Sequence, residues 1–492
     1  MNLNCINCDK SLTILHFGII MMANMVKFLT MQNCNYIERC KMFKKLSNGC
    51  VHLVNRYLPD PFIFCIILTV IVFVAAIPAT GAGPIELVNA WGGGVWNLLA
   101  FSMQMALVLV LGNAFANAPV IKKVVAKIAS LAKSPVQGII VVTFFSLIAC
   151  WINWGFGLVV GAILAKEIAR QVKGIDYRLL IASAYSGFVI WHAGFSGSIP
   201  LALATPGEEA LAAATGGAVT EAISTSMTIF APYNIIMILV ILVCLPFINA
   251  KMHPSHDQVV VVDPNLLIDE AIEYKAPVTP AEKIENSAIA SGVISIAGVV
   301  YLIYYFMNNG FNITLNIVNF IFLVLGIICH KTPINYVRAI SDATKGAAGI
   351  ILQFPFYAGI MGMMTYAPEA SESLAAVISN GFVSISNQST FPLFTFLSAG
   401  IVNFFVPSGG GQWAVQGPIM MPAGQTLGVD PSITGMAIAW GDAWTNMIQP
   451  FWALPALGIA GLSARDIMGY CLVTLFFVGI VVCGGFLIVG LV

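Results

Sequence analysis

Residues 135–157 read PVQGIIVVTFFSLIACWINWGFG, and the end of that stretch, Asn153-Trp-Gly-Phe-Gly157, decides how the chain is read. An apolar run of this length is long enough to cross a bilayer as a helix. Here Asn and Gly interrupt it, and a second apolar run, 155–171, begins at once. In hydrocarbon an unpaired N–H or C=O costs several kcal/mol, so a helix breaks there only where protein or ligand satisfies its backbone. The pair 135–153 and 155–171 therefore predicts a helical hairpin that enters and leaves on one side. The pair 391–406 and 412–428 has the same form around Pro407-Ser-Gly-Gly-Gly-Gln412. Two further apolar stretches are interrupted. In 179–205 the break is Gly194-Phe-Ser-Gly-Ser198 with Pro200, and in 433–457 it is Asp442-Ala-Trp-Thr-Asn446 with Gln449-Pro450.

Composition agrees with a chain that lives in lipid. Of 492 residues 59% are apolar and 9% charged, and the mean hydropathy is +0.89. Soluble domains carry about 25% charged residues, so a cytosolic enzyme, a nucleic-acid binder and a disordered scaffold are excluded. Unbroken runs such as Phe62–Ile77 and Ile235–Phe247 do not fit the alternating segments, ~10 residues long, of a membrane β-barrel. Uninterrupted spans are expected near 62–80, 101–118, 227–249, 284–306, 314–330, 347–366 and 466–491. Two amphipathic stretches lie between them: the basic Pro119–Ser134 and the acidic Pro368–Gly381.

The fold class that follows is an all-α polytopic membrane protein. About nine full transmembrane helices and two re-entrant hairpins form two inverted repeats with broken helices, the architecture of a secondary transporter. The expected divisions are an atypical extension (1–41), a first repeat (42–249), a cytoplasmic loop and linker helix (250–310) and a second repeat (311–492). At an offset of 249 residues Val88/Val337, Ala90/Ala339, Gln104/Gln353, Ala118/Ala367 and Pro119/Pro368 coincide.

Net charge is zero, 22 Lys+Arg against 22 Asp+Glu, but the charges are sorted. With the N-terminus inside, all 22 basic residues fall on the cytoplasmic side. The outer loops then hold Glu86, Glu208, Glu209, Glu221, Glu369, Glu372 and Asp430. Basic residues concentrate on the cytoplasmic side of membrane proteins, which places the N-terminus inside and the C-terminus in the periplasm. Residues 1–41 stand apart, and a start near Met42 reads best. Cys5, Cys8, Cys34 and Cys40 lie in that extension, and the wide spacing of the second pair departs from a zinc cluster. No metal, nucleic acid or cofactor is expected beyond a coupling ion, H+ or Na+.

Interrupted segments at matching places in two halves point to a transport site. Glycine lets a ligand approach the main chain, and half-helix N-termini suit an anion. The substrate-binding candidates are Asn153, Gly155, Gly157, Ser196, Gly197, Ser198, Ser408, Gly409, Gly410, Gly411, Gln412 and Asn446, with Thr445 as a further neutral donor. With every Lys and Arg outside, such neutral groups must hold any anion. Asp442 is the acidic residue left inside the membrane, and intramembrane carboxylates are functional candidates by default. Asp442, Asn403 and His192 are the coupling-ion candidates. Trp151, Trp154, Trp191, Trp413 and Trp444 near the breaks read as packing or interfacial residues. Gly194-Phe-Ser196-Gly resembles the Gly-x-Ser of intramembrane serine proteases, but a nucleophile needs a positioned base. The chain has no His-Glu-x-x-His motif, Walker A loop or dinucleotide fingerprint, and no enzyme activity is expected.

Several longer motifs carry a family resemblance: Tyr57-Leu-Pro-Asp-Pro-Phe, Trp96-Asn-Leu-Leu-Ala-Phe, Asn153-Trp-Gly-Phe-Gly-Leu-Val-Val-Gly-Ala, Gly194-Phe-Ser-Gly-Ser-Ile-Pro, Phe405-Val-Pro-Ser-Gly-Gly-Gly and Gln449-Pro-Phe-Trp-Ala-Leu-Pro-Ala-Leu. They resemble the bacterial short-chain fatty acid (acetoacetate/butyrate) transporter family, from about Met42 to Val492. The resemblance implies a place in the broader ion-transporter superfamily, with a scaffold domain and a mobile domain that moves as an elevator, often in a homodimer. It implies uptake of short monocarboxylates across the inner membrane. Alternatives are a cation-coupled carrier of another small organic anion, or a cation/proton exchanger.

Overall fold

The computed structural model describes residues 49–491 except 53–55, 57–60, 98, 206–207, 265–277, 311–314, 370 and 408. The 1–41 extension with its four cysteines, the Tyr57–Asp60 part of the first motif, and Ser408 lie outside the described residues. Among the described residues every regular element is helical.

The first run opens with α1 (Pro61–Thr80), α2 (Pro84–Gly94), α3 (Leu99–Ala116) and α4 (Pro119–Ala129). A helical hairpin follows, α5 (Pro135–Ile152) and α6 (Trp154–Gln171). Next is a broken element: α7 (Tyr177–Ser186), a 3-10 segment (Gly187–Ala193) and α8 (Ser198–Ala204). Then come α9 (Glu208–Ala214) and α10 (Pro232–Lys251). The linker holds α11 (Pro280–Glu285) and α12 (Ala288–Asn309). The second run repeats the order: α13 (Leu315–His330), α14 (Pro333–Thr344), α15 (Ala348–Thr365) and α16 (Leu374–Ser384). Its hairpin is α17 (Phe391–Phe405) and α18 (Gly409–Thr426), its broken element is α19 (Pro431–Thr445) and α20 (Pro450–Ala460), and α21 (Ala464–Leu491) ends the chain.

The repetition is close in register. α3 and α15 are both 18 residues long and start 249 residues apart. α6 and α18 are also both 18 residues long, 255 residues apart. The six extra residues enter before α16. Pro119 opens α4, whereas the Pro368 carbonyl accepts a turn hydrogen bond from the Ser371 amide (3.0 Å). The acidic helix expected over 368–381 instead begins at Leu374, capped by Ser373, whose Oγ accepts from the Ala376 amide. Helices α2 and α14 were not expected. Their signals are a proline at the first turn of each and Glu86, whose carboxylate accepts from the Gly83 amide at 2.8 Å.

Five elements among the described residues are long and apolar enough to cross a membrane: α5, the α7–α8 element, α10, α12 and α21. Shorter apolar helices include most of α1, α13, α15 and α17. An 18-residue helix is about 27 Å long, close to the hydrocarbon thickness. The chain is thus a multi-pass membrane protein. Most of α12 is exposed apolar surface, and only its Ser291, Ser295 and Gly298 stripe is buried.

Two helix groups form. In the first, α3 lies against α13, and α15 crosses α2 at backbone distance. A Cβ on Gly94 would stand 2.8 Å from the Ala358 carbonyl oxygen, so glycine is required at that crossing. In the second, the α5–α6 hairpin packs on α7 and α10, while α17 packs along α19. That last contact is close because Gly441 lies directly on the Phe396 carbonyl and Gly400 on Trp444 and Thr445.

Candidate functional site

At the first hairpin tip one residue does two jobs. Asn153 caps the end of α5 and the start of α6: its extended backbone ends one helix, and its Oδ1 accepts from the Phe156 amide at 3.0 Å. The tip closes tightly because Gly157 faces the backbone of Cys150, where a Cβ would come within 2.5 Å of the Cys150 nitrogen.

The broken α7–α8 element wraps this tip. The Phe195 amide donates to the Trp151 carbonyl (2.9 Å), and Ser196 Oγ accepts from the Trp154 amide (3.0 Å). Gly194 sits against the Trp151 carbonyl, and Gly197 against that of His192. The Ile199 amide, at the start of α8, donates to His192 Nε2 (3.1 Å). This corrects one expectation. Amides at these half-helix starts are satisfied by Ser196, Asn153 and His192, so those three side chains serve the protein's own backbone there. The Ser196–His192 dyad of a serine protease is also absent: Ser196 bonds Trp154, and both His192 nitrogens have other partners.

The second half supplies an amide cluster. Asn403 Nδ2 donates to the Asp442 carbonyl (2.8 Å), Thr445 Oγ1 (2.9 Å) and Asn446 Oδ1 (2.8 Å). Tyr185 of α7 donates its hydroxyl to the Asn446 carbonyl (2.6 Å), which satisfies one carbonyl freed by the break. Gln412 Nε2 donates to the Ala399 carbonyl and to Gln416 Oε1, both at 2.8 Å. Gln416 Nε2 continues to Ser379 Oγ (3.1 Å) and Ser398 Oγ (3.2 Å).

The two halves also meet through a buried acid–imidazole pair. His192 Nδ1 lies 2.6 Å from Asp442 Oδ2, across 250 residues of sequence, and both side chains are fully buried. Gly409, at the second hairpin tip, covers the pair. A Cβ there would lie 2.8 Å from His192 Cε1 and 3.0 Å from Trp191. Trp191 stacks on His192 (ring centroids 4.1 Å) and on Phe188 (5.5 Å), with Trp154 and Trp452 closing an aromatic cluster. Gly410 differs from Gly409: it is exposed, and a Cβ on it would meet nothing within 4 Å.

The expected residues therefore gather, with different tasks. His192, Asp442, Asn403, Asn446, Thr445 and Gly409 form one buried site, and Gln412 joins it through Ala399, which abuts Gly441. Buried polar atoms without a hydrogen-bond partner remain there: Asp442 Oδ1, Asn403 Oδ1, Gln412 Oε1, Asn446 Nδ2 and Trp191 Nε1. Such atoms are costly unless something binds them. Tyr185 and Gln416 were missed by sequence reasoning. Gln416 is four residues after Gln412, a helical i, i+4 pair legible in Gln412-Trp-Ala-Val-Gln416. Tyr185 left no local signal.

Comparison with known proteins places this chain in a family. The family model described as "Short chain fatty acid transporter" matches residues 42–489. A relative in Escherichia coli (strain K12), named "Putative short-chain fatty acid transporter", is 48% identical over 445 residues, covering 89% of this chain and 98% of the relative. One of the same name in Haemophilus influenzae is also 48% identical, covering 89% and 97%. A solved structure, "Crystal structure of the Alcanivorax borkumensis YdaH transporter reveals an unusual topology", is 15% identical, covers 88% of this chain and 98% of that one, and gives a TM-score of 0.42. At that score the likeness brings nothing of its chemistry to this chain. From the family match and the two relatives, the chain belongs to the short-chain fatty acid transporter family.

Proposed function

We propose that the protein is a secondary active carrier that takes up short-chain fatty acids such as acetoacetate or butyrate across the bacterial inner membrane, coupled to H+ or Na+. One observation carries this reading: a buried carboxylate and imidazole from opposite halves meet where two broken elements and a hairpin tip converge. Helix breaks at matching places in two halves are the usual home of a carrier site. The repeated element order supports an inverted repeat in which α5–α6 and α17–α18 are re-entrant hairpins. The second helix group would then move as an elevator against the first, with the N-terminus inside. The carboxylate would sit by the open face of Gly410, near Asn446 Nδ2 and Trp191 Nε1, with the aromatic cluster beside its acyl chain. Asn153, Gly155, Gly157, Ser196, Gly197 and Ser198 would shape the opposite wall.

Uptake of labelled butyrate by proteoliposomes, under H+ and Na+ gradients imposed separately, tests the reading. Flux driven by one gradient is expected. No butyrate flux under either rejects it. Flux of a different small organic anion would select a carrier of that anion, and cation exchange without organic flux an exchanger.

A further inference from the structure

We infer that the coupled ion is Na+, held by the side-chain oxygens of Asp442, Asn403 and Gln412, and that His192 positions the carboxylate; this rests on the carrier reading above. Amide orientation carries the argument. A backbone carbonyl can only accept a hydrogen bond. Asn403 is held against the Asp442 carbonyl at 2.8 Å, so the contacting atom must be its NH2, which also serves Thr445 Oγ1 and Asn446 Oδ1. Turning the amide over would set oxygen against oxygen. Asn403 Oδ1 therefore faces away, buried and without a donor. Gln412 is fixed in the same way by the Ala399 carbonyl. The Gln416 atom it also meets must then be Oε1, because only an acceptor fits against that NH2, and Gln416 Nε2 turns to the hydroxyls of Ser379 and Ser398, which can accept. Gln412 Oε1 is thus a second buried oxygen without a donor, and Asp442 Oδ1 is a third.

These groups are tied together. Asn403 clasps the backbone of Asp442, and Gln412 grips Ala399, which abuts Gly441 one residue away from Asp442. Three acceptor oxygens repel an anion and are the ligand type of a hard cation. A proton would satisfy one of them and leave two orphaned, whereas a metal cation held among them would serve all three.

The charge count selects a monovalent ion. His192 Nε2 accepts the Ile199 N–H, so that nitrogen carries no proton, and the single ring proton sits on Nδ1 towards Asp442 Oδ2. An imidazolium would press one N–H against another. His192 is then neutral, and among the described residues no Lys or Arg contacts Asp442. One negative charge remains for one Na+. Gly409 rests on His192 at the second hairpin tip, which links the site's geometry to tip closure.

The purified full chain in nanodiscs tests this without substrate. Na+ replaces choline at constant ionic strength, with K+ as control, and tryptophan fluorescence is read, since Trp191 stacks on His192. A saturable response to Na+ but not K+ is expected. Gln412→Met, which removes the oxygen at similar size, should weaken it about tenfold, and Asp442→Asn should abolish it. An equal response to K+, no response to Na+, or a response produced by acidification alone overturns the inference. If the variants fail to fold, the wild-type comparison of Na+ with K+ still decides. For His192→Asn, weaker Na+ binding with an unchanged pH profile is expected; loss of a pH-dependent step in the variant would show proton carriage and overturn the positioning role. Na+ binding without butyrate flux rejects the substrate reading alone, and butyrate flux without a Na+ response rejects this inference alone.

Discussion

Gly409 and Gly410 are neighbours with opposite demands. Gly409 faces His192, Trp191 and Ser198 within about van der Waals contact, while Gly410 faces open space. Gly410→Ala should therefore fold and reach the membrane normally yet raise the KM for uptake, because a methyl group narrows the approach to the tip. Normal uptake by Gly410→Ala would show that substrate does not pass there. Gly409→Ala should displace the tip and reduce uptake and thermal stability together. Gly157→Ala is the control at the other tip. Its Cβ would meet backbone, which cannot move aside as a side chain can, so a loss of about 1–3 kcal/mol is expected, readable as a lower Tm in detergent. The glycine pattern marked both tips in the sequence. At the second tip it could not say which glycine faces a neighbour and which faces a vacancy, because that depends on His192, Trp191 and Ser198 of the other half folding against Gly409.

Among the helices, α11 shows how a short element holds outside the membrane. Its cap is reciprocal: the Glu282 amide donates to Thr279 Oγ1 (3.2 Å), and the Glu282 carboxylate accepts from the amides of Val278 (2.6 Å) and Thr279 (2.9 Å). Those amides hold the Glu282 carboxyl below the usual carboxylate range. A lowered folded-state pKa stabilises the folded form above the ordinary value, and that stability is lost as pH falls through the lowered one. Amide exchange over Pro280–Glu285 should speed up in acid, and Glu282→Gln should remove that dependence. The linker helix α12 makes a different point. Its buried stripe is small, and Gly298 lies directly on Val324 of α13. Gly298→Leu should separate α12 from α13, seen as lost cross-linking between cysteines introduced at facing positions. Helix existence and breaks were legible because they follow from spacing, proline and glycine over a few residues. The start of α16 was not, since Pro368 is as good a helix opener as Pro119 and the turn at Ser371 takes its place.

For the whole molecule, the tie between halves runs through a few buried bonds. Tyr185 reaches the Asn446 carbonyl at 2.6 Å, and Tyr177 reaches the Ala460 carbonyl at 2.9 Å. Tyr185→Phe keeps the ring and strands one buried carbonyl, a cost of about 1–3 kcal/mol. Slower uptake with an unchanged family of transported anions is expected, checked by competition in proteoliposomes; unaltered rate and Tm would show that the bond is dispensable. The charge sorting makes its own prediction. Cysteines placed beside Lys127 and Lys173 should react with an impermeant reagent only from the cytoplasmic face, and one beside Glu221 only from outside.

By itself the sequence determined that this chain lies in a membrane, that its helices break in four places, and that its element order repeats. Those properties are local: apolar length, backbone-permissive residues and charge near helix ends. Only the tertiary structure decided what the polar residues at the breaks do. It spent Asn153 and Ser196 on neighbouring amides, paired His192 with Asp442 across 250 residues, and left buried oxygens of Asp442, Asn403 and Gln412 without donors. Whether a buried polar atom is satisfied depends on which distant backbone folds beside it, and spacing along the chain carries no record of that.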